Sequence, residues 1–169
     1  NEEMTQLIGY VLRSTTSEFV VGRRPTASEI PPFGGLVQAE TAPQRRVIGL
    51  IYGVQVKDDP FVRQLVAARD PSQDVVSDNR QRRQTPVEVF ILAVGETADG
   101  VMRYGLPIFA PDALTAVYMA TPAEMGQFFG RFTYLDLVLN ASTGRADQLL
   151  VAAWRNYLAG QPESVQQAF

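Results

Sequence analysis

The sequence predicts a mainly β protein, a small closed or partly open β-barrel of about six strands with two or three short helices, including a C-terminal helix. Four apolar segments rich in β-forming residues fill the region from Thr5 to Gln55. Glycines recur in or beside these segments, where they commonly mark bulges or sharp bends. The later segments with helical spacing are short. Because repeated bending curls a sheet, we expect the strands to form a barrel.

The strands are predicted where β-forming apolar segments lie between breaks of proline, glycine or polar residues. In the first third of the chain these segments are LIGYVLRS, EFVVGR, GGLVQAE and RRVIGLIYGVQV. The glycines expected to bend them are Gly9, Gly22, Gly34, Gly35, Gly49 and Gly53. Further strands are predicted at VEVFILAVGE, VMRYGLPIF and FTYLDLVLN.

A helical insertion is predicted after the fourth strand. Asp58 or Asp59 precedes Pro60, and proline suits the first position of a helix. We therefore expect a short amphipathic helix at about residues 59–70. The polar segment that follows, residues 71–86, predicts a surface loop or a mobile one.

Two more helices are predicted near the C-terminus. Thr121 and Glu124 form a capping box around Pro122, and Gly130 ends the short helix that follows. From Ser142 onward an amphipathic helix places apolar residues on one face, namely Leu149, Leu150, Ala153, Trp154, Tyr157 and Leu158. We expect a barrel domain over residues 5–139, followed by this C-terminal helix and a tail over residues 140–169.

The composition limits which kinds of catalytic and binding site this chain can form. Its 169 residues are 46% apolar and 20% charged, which suits one globular domain with a sizeable core. The net charge of −3 provides no overall positive field to attract a polyanion. Cysteine and histidine are absent, which excludes disulfides, thiolate nucleophiles, imidazole triads and the usual zinc and haem sites. We expect no cofactor, no metal and no enzyme activity, with paired carboxylates as the one catalytic chemistry left open.

The sequence also predicts a cytoplasmic protein that does not enter a membrane. No stretch approaches the roughly 18 consecutive apolar residues that a spanning helix needs. The first residues, NEEMTQLIGY, are acidic rather than basic, unlike the start of an export signal.

The order of motifs resembles the HAS-barrel family, the HerA/ATP-synthase barrel. The likeness rests on strands of the form IGYVLRS, EFVV and VIGLI, and most specifically on YGLPIFAPDALTAVYMATPAEMGQFFG, and it covers roughly residues 5–139. In that family the barrel lies at the N-terminus of HerA-type hexameric ATPases and of ATP-synthase subunits. There it serves ring assembly and the docking of accessory subunits. The resemblance implies a barrel without chemistry of its own.

The chain departs from the HerA pattern in two places. It has no phosphate-binding loop, since its one lysine, Lys57, follows Val56 rather than glycine. The turn glycine expected before VYMA is also missing, because Ala113 and Leu114 occupy that link. We therefore expect a free-standing barrel or a barrel fragment of a longer protein, whose partner is a HerA-like ATPase, an accessory nuclease or another copy of the chain.

Two groups of residues are candidates for interaction. Arg80, Arg82 and Arg83 form the one basic cluster, which suits an acidic partner or phosphates, or simply a solvated loop. Trp154 and Tyr157 belong to the apolar face of the last helix, which packs either on the barrel or on a partner.

We predict a non-enzymatic assembly or docking module. The first alternative is an OB-like barrel that binds RNA or single-stranded DNA, which the acidic net charge does not favour. The second is a carboxylate-dependent hydrolase. Its candidate residues form the densest acidic group, Asp58, Asp59, Asp70, Asp74 and Asp78. Helix capping and loop solvation explain these five residues equally well.

Overall fold

The computed structural model describes residues 6–23, 30–56, 60–68 and 87–161. The described residues form seven strands: β1 (Leu7–Ser14), β2 (Glu18–Arg23), β3 (Leu36–Ala42), β4 (Arg45–Val56), β5 (Val87–Ala98), β6 (Val101–Tyr104) and β7 (Ala116–Met119). They also form four helices: α1 (Pro60–Ala67), α2 (Pro122–Phe129), α3 (Tyr134–Leu139) and α4 (Ala146–Ala159).

Six strands close into an antiparallel barrel in the order β1, β7, β3, β4, β5, β2. Closure comes from β2, which pairs with β1 along one edge and with β5 along the other. The remaining strand, β6, pairs with the end of β5 and lies outside the closed ring. The predicted β-barrel fold is therefore confirmed, with one extra strand.

The described residues form two apolar cores that share the wall formed by β4 and β5. One core fills the barrel with mainly β-branched side chains, including Val11, Val21, Val47, Val89 and Ile91. The other lies outside the barrel, where α2, α3 and α4 cover Leu36, Ile48, Leu50, Leu92 and Val94. Successive residues of β4 and β5 thus enter different cores, because side chains point to alternate faces along a strand.

Strand β5 changes partner midway along its length. Its first half, from Val87 to Leu92, pairs with β2, and its last four residues, from Gly95 to Ala98, pair with β6. The backbone hydrogen bonds at the change are intact: Ala93 N donates to Ser17 O (2.9 Å), and Gly105 N donates to Val94 O (3.2 Å). The strands β2 and β6 therefore diverge from one edge of β5 and leave a fork.

Three of the glycines predicted to bend the strands lie where the pairing register shifts. These are Gly9 in β1, and Gly49 and Gly53 in β4. Gly9 has a further reason to be glycine, because a Cβ atom there would overlap the carbonyl oxygen of Gly22 on β2. The close approach of β1 and β2 thus depends on the missing side chain.

The capping box of α2 is present as predicted and is tied to the barrel. Thr121 accepts from the Glu124 backbone N–H (3.2 Å), and the Glu124 carboxylate accepts from Thr121 N (2.8 Å). The same carboxylate accepts from Gln38 Nε2 at 2.8 Å and pairs with the guanidinium of Arg46 at 3.1 Å. Because Gln38 is buried on β3, this network fixes the start of α2 on the barrel wall.

The strand predicted at FTYLDLVLN is wrong, because the segment contains helix α3. Its fully buried residues, Tyr134 and Val138, are four apart and share one side of a helix. The ring of Tyr134 lies 4.9 Å from that of Phe128 and 5.4 Å from that of Phe129. The apolar residues of this segment suit either a strand or a helix, so its packing against α2 determines that it is helical.

Other predicted elements fall close to the described ones. The predicted strand VMRYGLPIF ends early, because β6 stops at Tyr104. The predicted helical insertion corresponds to α1, whereas Asp58, Asp59 and the segment 71–86 lie outside the described residues.

We expect Gly9→Ala to lower the free energy of unfolding by more than about 2 kcal/mol, because the new methyl group must displace strand backbone. Gly126→Ala is the matched control, since a Cβ atom at Gly126 in α2 meets nothing within 4 Å. There alanine should stabilise the protein by up to about 1 kcal/mol through its higher helix propensity. Urea denaturation of both variants measures the difference. Equal stabilities would contradict the close approach of β1 and β2.

We expect Glu124→Ala to lower the free energy of unfolding by about 2 kcal/mol, because it removes a cap and leaves the buried Gln38 amide without its acceptor. Glu124→Gln keeps one oxygen that accepts from both groups, but it loses the negative charge and the oxygen that accepts from Arg46. Since Arg46 is part-exposed, that loss should cost less than about 1 kcal/mol. Thermal and urea unfolding of the two variants test this order, and a larger loss in the glutamine variant would contradict it.

Candidate docking surface

Large apolar side chains are exposed on one side of the barrel. They are Leu7, Tyr10 and Leu12 on β1, Tyr118 on β7, and Leu114 in the turn before β7, and together we call them the β1–β7 face. Their exposed fractions range from 38% for Tyr118 to 78% for Leu114. The helical layer packs instead on residues of β3, β4, β5 and β6. The β1–β7 face is therefore the bare part of the barrel wall within the described residues.

Strand alternation and two bulges explain why these side chains point outward. Ile8 and Val11 of β1 enter the barrel core. The pairing register shifts between Leu7 and Gly9 on the β7 side, and between Val11 and Arg13 on the β2 side. The second shift makes Leu12 an extra residue in the strand, and such bulges commonly re-aim a side chain.

The neighbours of Tyr10 are small. Its cross-strand partners are Gly22 on β2 and Ala116 on β7. The side chain of Leu12 lies over Gly22, since a Cβ atom built there would be 2.9 Å from Leu12 Cδ2. The cross-strand neighbours of Tyr10 are therefore small, and they leave space beside its ring for a partner's side chains.

Leu114 occupies a strained backbone position. Its φ angle is 67°, in the left-handed region that is unusual for a bulky residue and costs leucine roughly 1–2 kcal/mol. Two backbone hydrogen bonds fix the turn to β1, from Leu114 N to Val11 O (2.8 Å) and from Val11 N to Thr115 O (2.9 Å). The family resemblance described above predicts a glycine at this link. Here a leucine is held in that conformation with most of its side chain in solvent.

Polar groups on β1, β2, β4 and β5 are paired with one another. The exposed Arg13 guanidinium lies 3.4 Å from the buried carboxylate of Glu88. The Tyr52 hydroxyl donates to Glu18 at 2.9 Å. Burial, and next the hydrogen bond to Glu18, raise the pKa of Tyr52 to about 12, so its hydroxyl stays protonated as a donor at neutral pH. The β1–β7 face itself consists of three leucines and two tyrosines.

The sequence-predicted interaction residues lie elsewhere. Trp154 and Tyr157 of α4 are half-buried and pack on α2, with ring centroids 5.7 Å and 5.0 Å from that of Phe129. Trp154 also stacks on the ring of Phe132, and the two ring centroids are 6.0 Å apart. Their use by a partner stays a prediction.

The basic cluster of Arg80, Arg82 and Arg83 lies outside the described residues, and its contact with an anionic partner stays a prediction. The acidic residues named as hydrolase candidates also lie outside them.

Sequence reasoning missed the β1–β7 face, because leucine and tyrosine in a strand also suit a core. The available signal was the segment IGYVLRS itself. Its apolar residues outnumber the positions that can point into a barrel, so some of them must face outward.

Comparison with models of known families and with curated proteins finds no match. Among the described helices none is long and apolar enough to cross a membrane. The described residues also contain no group of three or more Asp and Glu side chains placed to hold a metal ion.

We expect Leu114→Gly to raise the free energy of unfolding by up to about 1 kcal/mol, because glycine adopts a positive φ angle without steric cost but loses more backbone entropy on folding. Leu114→Ala keeps the strain and serves as the control for loss of the exposed side chain. Urea denaturation compares the two variants. If the glycine variant is less stable than the alanine variant, the backbone at Leu114 is not strained.

Proposed function

We propose that this chain is a non-enzymatic docking module that binds a protein partner through the β1–β7 face. The observation that supports this most is the set of five large apolar side chains left bare on β1, β7 and the turn between them. Contiguous exposed apolar surface on a soluble protein typically marks an interaction site.

The composition of the face favours a protein over a nucleic acid. Binding to phosphates requires several lysines or arginines, and base stacking is normally combined with such a basic groove. The five residues of the face are uncharged, and Arg13 beside them is paired with Glu88. Tyrosines at the centre of an apolar patch are instead typical of protein interfaces.

As the partner we propose the corresponding barrel of a HerA-like ATPase. The resemblance in IGYVLRS and in the segment from Tyr104 to Gly130 supports this choice. Both segments contribute to the face, the first through β1 and the second through Leu114 and Tyr118. A lateral contact between barrels would cover this bare part of the wall.

Sedimentation velocity of the full chain, alone at several concentrations and mixed with a HerA-like ATPase, tests the proposal. We expect weak self-association at most, because no ring holds neighbouring copies together, and a mixed complex with the ATPase. In the variant Tyr10→Ser/Leu12→Ser the affinity for the ATPase should fall at least about 30-fold, as for truncation of central interface residues.

The matched control is Leu139→Ser/Val151→Ser, which removes two exposed apolar side chains from α3 and α4. It should bind the ATPase as the unchanged chain does, and both double variants should keep their melting temperatures within a few degrees. Equal affinity of all three proteins would overturn the docking face. Absence of a mixed complex, together with tight binding to a single-stranded oligothymidine, would favour the nucleic-acid alternative.

A further inference from the structure

A groove of about 700 Å³ lies at the fork where β5 changes partner from β2 to β6. One wall is the start of β2, at Ser17 and Glu18, and another is the end of β6, at Tyr104 and Gly105. Helix α3 and the turn after it form the remaining wall. The volume is in the range of small-molecule sites in proteins.

The charged groups of this fork groove have one sign. Its two carboxylate side chains are Glu18 and Asp136, which come from different walls, and no arginine or lysine lines it among the described residues. Both carboxylates are solvent-exposed, so they remain accessible to a ligand. Glu18 accepts one hydrogen bond from Tyr52, which orients the carboxylate while leaving acceptor capacity.

The fork groove also contains a hydroxyl group that lacks a partner. Thr143 Oγ1 is buried and makes no hydrogen bond to any described residue. An unpaired hydroxyl of this kind costs stability, and because it is shielded from solvent it is not a contact for a ligand in the open groove. Nearby Asn140 donates its amide to the Asp136 carbonyl oxygen (2.8 Å), which ties the end of α3 and fixes this wall.

The floor and sides of the fork groove are apolar. Leu92, Ala93, Leu106, Leu137 and Ala141 lie between the polar groups. A ligand that matches both features has a cationic, hydrogen-bond-donating head and a short aliphatic chain. A bare metal ion matches less well, because hard cations require six or more oxygen ligands in a compact shell and the described residues hold no such cluster.

We propose that the fork groove binds a guanidinium or ammonium group on a short aliphatic chain, with Glu18 and Asp136 pairing with the cation. The ligand is either a free amine or an arginine or lysine side chain of a peptide, since both carry this chemistry. This site is separate from the β1–β7 face, and its test does not depend on the docking function.

Calorimetric titration of the full chain with agmatine tests the proposal, and amide NMR shifts at Gly105, Ala141 and Thr143 report where the ligand binds. We expect saturable binding at millimolar concentration or below that weakens as salt screens the charges. A second titration with the capped peptide acetyl-Gly-Arg-Gly-amide distinguishes the sources. Tighter binding of agmatine assigns a free amine, and tighter binding of the peptide assigns a protein side chain.

Asp136→Asn and Glu18→Gln should each weaken agmatine binding about tenfold, because each removes one charge-assisted hydrogen bond while keeping an acceptor of the same shape. Asp112→Asn, on the exposed loop before β7, is the matched control for loss of one negative charge and should bind as the unchanged chain does.

Three outcomes would overturn the proposal. The first is that neither ligand produces heat or NMR shifts at 10 mM, about a tenfold excess over the weakest affinity expected. The second is that all three variants lose agmatine affinity equally. The third is that calcium binds at these residues and neither ligand does. If Glu18→Gln fails to fold, Asp136→Asn alone decides the test, since Asp136 is exposed and its side chain supports no described contact.

Discussion

The long antiparallel pair of β4 and β5 supports both cores of this protein, because its residues are buried on both faces. Val47 and Ile51 enter the barrel, whereas Ile48 and Leu50 contact the helical layer. The pair is dense enough that a Cβ atom at Gly49 would overlap the side chain of Ile91 on β5. Neither core can form without this shared wall, so the barrel and its helices are expected to fold as one unit.

Because the helices cover one side of the barrel, the outer face of the opposite side stays exposed. Helices α2 to α4 are short and joined by brief turns, and they pack on residues of β3, β4, β5 and β6. Their aromatic cluster, which centres on Phe128, Phe129 and Tyr134, holds them together on that side. Among the described residues, the core beneath these helices contains no side chain of β1 or β7. The exposed apolar residues of β1 are thus a direct consequence of where the helices attach, and the proposed docking function gives them a use.

The sequence predicts the local features of this fold well. Strands β1, β2 and β4 have the predicted bounds, and the capping box of α2 is present, because β-forming residues and caps act over a few neighbours. The strand predicted in place of helix α3 is wrong because this short apolar segment suits both structures, and only packing of Tyr134 against α2 decides between them. The β1–β7 face and the fork groove depend on which strands pair, which no local pattern specifies.

Strand β2 connects the two proposed sites. Its first residue, Glu18, lines the fork groove, and Gly22 near its end lies beneath Leu12 of the β1–β7 face. Because β2 is hydrogen-bonded along both edges, to β1 and to β5, it cannot shift in response to a ligand without breaking the pairing that closes the barrel. A closed ladder of this kind holds both sites in fixed positions. Closure of the barrel through this six-residue strand therefore fixes the distance between Glu18 and Gly22 and, with it, the relative position of the two proposed sites.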